Sequence, residues 1–292
     1  MKASAFDYVR AGSVAETCEL LRHDGDAIKL IAGGQSLVPM MAMRLTRPKR
    51  LVDINEIAAL KFVTIEPSVV RIGACTRQCV IERDDALAAR LPLLRQALAW
   101  VGHGQTRNRG TVGGSLAHAD PAAELPLAAQ VLGAKMMLRS TSGVRSVPAG
   151  EFFVGPLMTA TEPHECLEEV HWPLWPEPRT GSVFTEVSRR HGDFAIIAAA
   201  AQIALDDDGH CVRASFGLCG GGQTALAFPK LADRMLGTRL EEAVVQSAAH
   251  DAAGELDPGS DLHASAGYRR HLAAVLAARA LHAAHEQARR SP

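Results

Sequence analysis

The sequence lacks the short motifs by which many nucleotide-binding and hydrolytic enzymes are identified. It contains no Gly-Lys-Ser or Gly-Lys-Thr tripeptide, which excludes a Walker loop. Its nearest approach to a Rossmann fingerprint, residues 102–107, places an arginine where the third glycine belongs. It has no H-E-x-x-H zinc motif, and neither Ser36 nor Ser115 is followed two positions later by the glycine of a nucleophile elbow. The standard forms of these enzyme classes are therefore excluded.

Aromatic residues, net charge and long apolar runs are also scarce. Aromatics make up 4% of the chain and the formal net charge is -1, which argues against a nucleic-acid-binding surface. The longest apolar run, residues 194–203, is interrupted by Gln202 and is too short to span a bilayer. The N-terminal residues lack the apolar core of a secretory signal, so we expect a cytoplasmic protein without a membrane span.

The six cysteines form no C-x-x-C pair, and their spacing fits no standard iron–sulfur site. We therefore predict that they are reduced thiols and that the chain holds no metal. The positions are Cys18, Cys75, Cys79, Cys166, Cys211 and Cys219.

Two glycine-rich segments, about eighty residues apart, carry most of the functional information. A Gly-Gly step permits positive φ and leaves no Cβ to obstruct a ligand, and successive N–H groups in such turns form anion-binding concavities. With hydroxyl donors beside both glycine pairs, the two segments together suit a pyrophosphate held from both sides, which indicates a dinucleotide cofactor. The segments are Leu30, Ile31, Ala32, Gly33, Gly34, Gln35 and Ser36, and Thr111, Val112, Gly113, Gly114 and Ser115.

Hydrophobic periodicity predicts two units joined near residues 172–178, where three prolines in six residues disfavour both helix and central strand. Strands and helices alternate before this boundary, whereas strands are followed by helices after it, as in an α+β unit. The predicted domains are residues 1–176, divided into about 1–56 and 57–176, and residues 177–292. The predicted helices span 14–23, 37–45, 77–84, 87–101, 121–132, 226–236, 240–253 and 268–289, and the predicted strands span 27–31, 50–54, 69–73, 135–138, 145–147, 184–188, 195–205 and 211–219.

Four segments, at residues 32–39, 107–121, 190–195 and 261–270, resemble the FAD-binding medium subunit of molybdenum hydroxylases. This family includes carbon monoxide dehydrogenase and the related flavin domain of xanthine dehydrogenase. The resemblance extends over the whole chain and implies a two-part FAD-binding domain of the vanillyl-alcohol oxidase type. A small α+β domain of three strands and three helices would follow it.

The resemblance implies that both glycine segments hold FAD and that no side chain of this chain acts in catalysis. It also implies that the chain transfers electrons from 2Fe–2S clusters on a small subunit to an external acceptor. Molybdopterin would reside on a large subunit, and a dimer of heterotrimers is expected. Further FAD contacts are implied at Val101, Gly102, Asp120, Glu124 and Leu167.

The chain departs from xanthine dehydrogenase near the expected flavin. Thr185 stands in place of a lysine, and His191 and Gly192 stand where an acidic residue is found. Because those groups help to handle nicotinamide, the resemblance does not extend to NAD as the acceptor. Two alternatives remain open, namely a self-sufficient flavin dehydrogenase or oxidase of the same fold and a non-catalytic flavin-binding assembly subunit.

Overall fold

The computed structural model describes residues 2–291. It begins with a small parallel sheet in the order β1-β3-β2. The first helix starts where the Ser13 hydroxyl accepts the backbone N–H of Glu16, a typical N-cap. The elements of this unit are β1 (Asp7–Arg10), α1 (Val14–Asp24), β2 (Ile28–Ile31), α2 (Leu37–Ala42) and β3 (Arg50–Asp53).

A second, antiparallel sheet follows in the order β4-β5-β10-β6-β7, flanked by short helices. Its central strand is β10, which the sequence analysis missed because it runs directly into the proline-rich boundary. The elements are β4 (Val63–Ile65), β5 (Val69–Gly73), α3 (Gln78–Arg83), α4 (Asp85–Arg90), α5 (Pro92–Trp100), α6 (Gly104–Arg109), α7 (Val112–His118), α8 (Glu124–Leu132), β6 (Lys135–Ser140), β7 (Gly143–Pro148), α9 (Ala149–Phe152), β8 (Phe153–Gly155), β9 (Met158–Thr159) and β10 (Cys166–Pro173).

Two helix predictions in this region are wrong, and proline explains one of them. The expected helix over 87–101 is broken at Leu91, whose φ of -131° and ψ of 63° are not helical. Steric conflict with the following Pro92 disfavours the helical region at that residue, so α4 ends and α5 begins there. The expected helix over 121–132 starts later, at Glu124 with Ala123 as its N-cap, so Pro121 is not its first residue.

The C-terminal unit contains an antiparallel sheet in the order β11-β12-β13-β14. The three longer strands match the predicted ones apart from their ends. The helix predicted over 226–236 is wrong at its start, where β14 forms instead, and only Pro229–Asp233 is α-helical. The residues Asp206-Asp207-Asp208-Gly209, typical of a hairpin turn, lie between the second and third strands. The elements are β11 (Thr180–Val187), β12 (Ile197–Leu205), β13 (Cys211–Cys219), β14 (Leu226–Ala227), α10 (Pro229–Asp233), α11 (Glu242–Glu255) and α12 (Ala266–Arg290).

This third sheet lies between two hydrophobic cores. Every residue of β12 is buried. Ala199 and Ile203 belong to a core with α11 and α12, whereas Ala198 and Ala200 belong to a core with α5 and α8. A strand buried on both faces reads as a continuous apolar run rather than as an alternating one, which explains the composition of this segment. Among the described residues, no helix has both the length and the apolar character needed to cross a bilayer.

Candidate functional site

The fold brings the two glycine segments onto one surface, where the first packs against the residues just before the second. A Cβ placed on Gly33 would lie 2.4 Å from the Arg109 carbonyl oxygen and 2.9 Å from the Gly110 Cα. A Cβ placed on Gly114 would lie 3.9 Å from the Cβ of Ala32. Residues that are about eighty positions apart in sequence therefore share one surface, and at Gly33 only glycine permits the approach.

The conformation of the second segment differs from the prediction. Gly113 and Gly114 lie in the first turn of α7 with negative φ, whereas Gly34 in the first segment has φ of +71°. Position 113 requires glycine because α7 packs closely on Ala74. A Cβ on Gly113 would lie 2.5 Å from the Cβ of Ala74. The expectation of positive φ in both segments is thus wrong for the second, which is the start of a helix rather than a loop.

Backbone hydrogen bonding also distinguishes the two segments. The N–H of Gly113 donates to the Ala74 carbonyl at 2.9 Å, and the N–H of Gly114 donates to the Thr111 hydroxyl at 3.0 Å. The predicted anion-binding concavity of free N–H groups is therefore wrong for this segment. Within residues 2–291, by contrast, no acceptor is found for the N–H groups of Gly33 and Gly34. The available donors thus lie mainly on the first segment.

Both segments line one cavity of about 540 Å³, a volume within the usual range for small-molecule sites. All but two of the predicted site residues lie on its wall. Ile31 instead lines a neighbouring cavity of about 530 Å³, and Val112 is completely buried in the core. The residues that line the first cavity as predicted are Leu30, Ala32, Gly33, Gly34, Gln35, Ser36, Val101, Gly102, Thr111, Gly113, Gly114, Ser115, Asp120, Glu124 and Leu167.

Val101 and Gly102 are held at the cavity by a side chain from α6. Arg107 donates to the carbonyl oxygens of Val101 at 2.9 Å and Gly102 at 3.2 Å, and it forms an ion pair with Glu82 at 2.8 Å. Arginine can make these contacts together because its planar guanidinium carries several fixed donors. This arginine belongs to one of the segments that carry the resemblance, although no role was predicted for it.

Several wall residues were not among the predicted contacts. Lys29, Met40 and Thr46 come from the first unit, and Leu157 comes from the turn between β8 and β9. Gly192, Asp193 and Phe194 follow β11, and Phe194 is 62% exposed despite its size. All three fall within a segment that carries the resemblance, which already placed Gly192 near the flavin.

The titratable groups of the wall are shifted by burial. Glu124 is only 5% exposed, and this burial raises the pKa of its carboxyl to about 7, with the charge of Asp120 acting in the same direction. Burial also lowers the pKa of His118, which favours the neutral imidazole. The part of the wall formed by Asp120 and Glu124 therefore carries less negative charge at neutral pH than two ionised carboxylates would.

The wall offers both apolar surface and polar donors to a cofactor. Apolar side chains line it, among them Leu30, Met40, Val101 and Leu167. The free backbone N–H groups of Gly33 and Gly34 and the Ser36 hydroxyl offer donors to a diphosphate. Within the described residues no cluster of histidine, cysteine or acidic side chains is arranged to hold a metal ion.

Comparisons with known proteins agree with this geometry. Residues 4–175 match the FAD binding domain in molybdopterin dehydrogenase, and residues 182–284 match the CO dehydrogenase flavoprotein C-terminal domain. The chain is 41% identical over 289 residues to 6-hydroxypseudooxynicotine dehydrogenase complex subunit alpha of Paenarthrobacter nicotinovorans, covering 99% of this chain and 97% of the relative. It is 35% identical over 289 residues to the carbon monoxide dehydrogenase medium chain of Afipia carboxidovorans, covering 99% of this chain and all of the relative.

A solved structure shows the same fold. Carbon monoxide dehydrogenase from Hydrogenophaga pseudoflava superposes with a TM-score of 0.95 at 35% identity, covering 98% of this chain and 99% of that one. The predicted α+β fold class and the predicted family are thus confirmed. With both family models matched in order and relatives similar from end to end, the chain belongs to the FAD-binding medium subunits of molybdenum hydroxylases.

Proposed function

We propose that this chain binds one FAD non-covalently in the 540 Å³ cavity and relays electrons from iron–sulfur clusters on a partner subunit to an external acceptor. The observation that carries the proposal is that both glycine segments line the wall of that one cavity. When bound, FAD supplies the ability to accept electrons singly and to release them as a pair.

The distribution of charge favours one orientation of the cofactor. Asp120 and Glu124 both line the cavity, and a diphosphate placed beside them would be repelled by the charge of Asp120. The free N–H groups of Gly33 and Gly34, with the Ser36 hydroxyl, offer the better anion site. The diphosphate therefore lies against the first segment in our proposal.

We place the flavin end towards the C-terminal unit, which contributes Asp193 and Phe194 to the wall. Val101, Glu124 and Leu167 line the same cavity. In the proposed role these residues bind and orient the ring and limit the access of water. We assign no nucleophile or general base, because electron transfer through a bound cofactor requires neither.

The partners are a molybdopterin-binding large subunit and an iron–sulfur small subunit, and we propose a dimer of heterotrimers. Support comes from the relatives, which are named as a complex subunit alpha and a medium chain. The substrate of the complex would be chosen on the large subunit. The cytoplasm is the proposed location, since 2Fe–2S and molybdopterin partners would have to be assembled with this chain.

Acid precipitation of the purified chain tests the cofactor assignment. We expect a yellow supernatant containing FAD at about one molecule per chain. Flavin that stays with the pellet would contradict non-covalent binding, and FMN in the supernatant would contradict the diphosphate site.

A substitution inside the cavity gives a second test. Ala117 is exposed on α7 and lines the cavity, so Ala117→Trp adds a large side chain there without displacing core residues. We expect it to lower FAD occupancy at least about tenfold. The matched control is Ala89→Trp, at an exposed position of α4 that does not line this cavity. Equal FAD content in the two variants would place the cofactor elsewhere.

A further inference from the structure

A buried carboxyl without a hydrogen-bond partner lies on β11, outside the cavity wall. Glu186 of β11 is 6% exposed, and neither of its carboxylate oxygens has a partner among the described residues. It stands opposite Ala198 of β12, which in turn stands opposite Cys219 of β13. Ala198 and Cys219 belong to the core shared with the FAD-binding unit, so this row of residues faces α8.

A second buried carboxyl approaches from the other side of that interface. Glu124 begins α8, is 5% exposed and lines the cavity. The charge of Glu124 acts on Glu186 and adds to the effect of burial in raising the pKa of Glu186 to about 8. Since burial raises the pKa of Glu124 to about 7, both carboxyls titrate near neutrality.

The surrounding elements supply no cation to balance the two carboxyls. Helix α5 packs on the same face, and its one charged residue, Arg95, forms an ion pair with Asp85 at 2.7 Å. Strand β12 contains no titratable residue. Strand β13 contributes the Cys219 thiol, and its Arg213, six residues away along the strand, is paired with Glu177 at 3.7 Å. Arg269 of α12 reaches the Gly220 carbonyl but is paired with Asp261 at 2.7 Å.

The remaining titratable groups nearby do not supply a cation either. Asp120 adds a like charge, and the pKa of His118 is lowered by burial. Arg189 and Arg190, which follow β11, are exposed. Two ionised carboxylates buried together without a counter-ion are strongly disfavoured, so protonation is the available compensation.

We propose that Glu124 and Glu186 form one buried carboxyl pair that holds a single proton at neutral pH and takes up a second from water when negative charge is added in the cavity. The uptake part rests on the proposed function, because it takes electrons arriving on bound FAD as the source of that charge. The step balances as one carboxylate and one proton giving one carboxylic acid, which offsets one added negative charge.

The two members have different parts. Glu124 lines the cavity and gains the second proton when charge is added there, whereas Glu186 is buried outside the cavity wall. Glu186 holds the first proton, because the charge of Glu124 adds to the effect of burial on its carboxyl.

Infrared spectroscopy of the FAD-free full chain tests the pair directly. We expect a buried carboxylic-acid band that titrates in two steps across the neutral range. In Glu124→Gln or Glu186→Gln it should titrate in one step, with a midpoint below the upper step of the unmodified chain, because the like-charged neighbour is gone. Glu151→Gln, at an exposed position of α9, is the control and should keep both steps. Absence of the band at neutral pH, or its persistence in the double variant, would overturn the pair.

Reduction of the FAD-loaded full chain by dithionite tests proton uptake. The band should grow by up to one carboxyl in the unmodified chain and should not grow in Glu124→Gln. Bound and reduced FAD without any growth of the band would refute the uptake. Failure of the chain to retain FAD would refute the proposed function instead, and the titration of the FAD-free chain would still decide whether the pair exists.

Discussion

At the scale of single residues, the glycines of the two segments serve different physical needs. Gly34 adopts a positive φ, which costs other L-residues about 1–2 kcal/mol. Gly33 and Gly113 instead allow backbone and side-chain atoms to come closer than any Cβ would permit. Their substitution would therefore disturb the fold, whereas Gly34 gives a cleaner test of binding.

We expect Gly34→Val to weaken FAD binding at least about tenfold, or about 1.4 kcal/mol, because the free N–H donors of this turn would move. A matched control is Gly237→Val, since Gly237 has a similar φ of +75°, has no atom within 4 Å of its Cβ position and does not line the cavity. Both variants should lose stability in urea unfolding, Gly34→Val the more because its Cβ would lie 3.2 Å from Val38, and only Gly34→Val should lose flavin absorbance per chain. Unchanged FAD affinity in Gly34→Val would refute the assigned role of the segment.

A second prediction at this scale concerns stability against pH. The pKa of Glu186 is raised by burial from an ordinary value of 4.5 to about 8, so between these values the native state holds a proton that the unfolded chain has lost. The free energy of unfolding therefore falls as pH rises through this window, with a slope of up to about 1.4 kcal/mol per pH unit from this group. Glu186→Gln should flatten the slope in urea unfolding between pH 5 and 8 on the order of this amount. The exposed-site variant Glu151→Gln should retain the full slope, and a steep slope in both would contradict the assignment.

At the scale of elements, the start of α7 decides the geometry of the second segment. The Thr111 hydroxyl caps the helix by accepting the N–H of Gly114, and the N–H of Val112 is held by the Thr76 carbonyl at 3.0 Å. These bonds fix the direction in which the Ser115 side chain leaves the helix. The segment thus shapes the cavity through a helix start rather than through a flexible loop.

Removing this cap should affect both stability and cofactor. Thr111→Ala should cost about 1 kcal/mol of unfolding free energy and weaken FAD binding, since the Gly114 N–H loses its acceptor. The control is Ser265→Ala. The Ser265 side chain caps α12 by accepting the Tyr268 N–H, and it does not line the cavity. Chemical unfolding and FAD titration of both variants should show a similar loss of stability and a loss of affinity in Thr111→Ala alone. Equal affinities would show that the helix start does not position the cofactor.

At the scale of the whole molecule, the C-terminal sheet joins the two units into one body. One face of β12 completes the core of α11 and α12, and the other face packs against α5 and α8. Glu124 therefore lies within reach of both the cavity and the C-terminal unit. A substitution at this interface is expected to change the site as well as the packing.

The isolated chain is expected to be redox-active but not self-sufficient. Its FAD should be reduced by dithionite and should remain oxidised in the presence of the organic substrate of the complex. Addition of the molybdopterin and iron–sulfur subunits should restore flavin reduction by that substrate, measured as loss of visible absorbance. Reduction of the flavin by the substrate in the chain alone would instead favour the self-sufficient dehydrogenase.

Much of the fold followed from local sequence signals. The apolar run of β12 and the hairpin that ends at Gly209 were predictable because each depends on residues close in sequence. The break at Pro92 could also have been inferred, since the restriction on the preceding residue is local. Strand β10 could not, because its place at the centre of a sheet depends on pairing with β5 and β6.

The sequence by itself determined the family and the two glycine segments of the cavity wall, because glycine is favoured where a backbone must approach a ligand closely. Only the tertiary structure decided how the two segments act. It turned the second into a helix start whose N–H groups are already bonded, and it left the donors on the first. It also placed Glu186 behind Glu124, a proximity between distant residues that depends on the docking of the C-terminal sheet against α8. Such long-range packing leaves no local signal, which is why the buried carboxyl pair was invisible in the sequence.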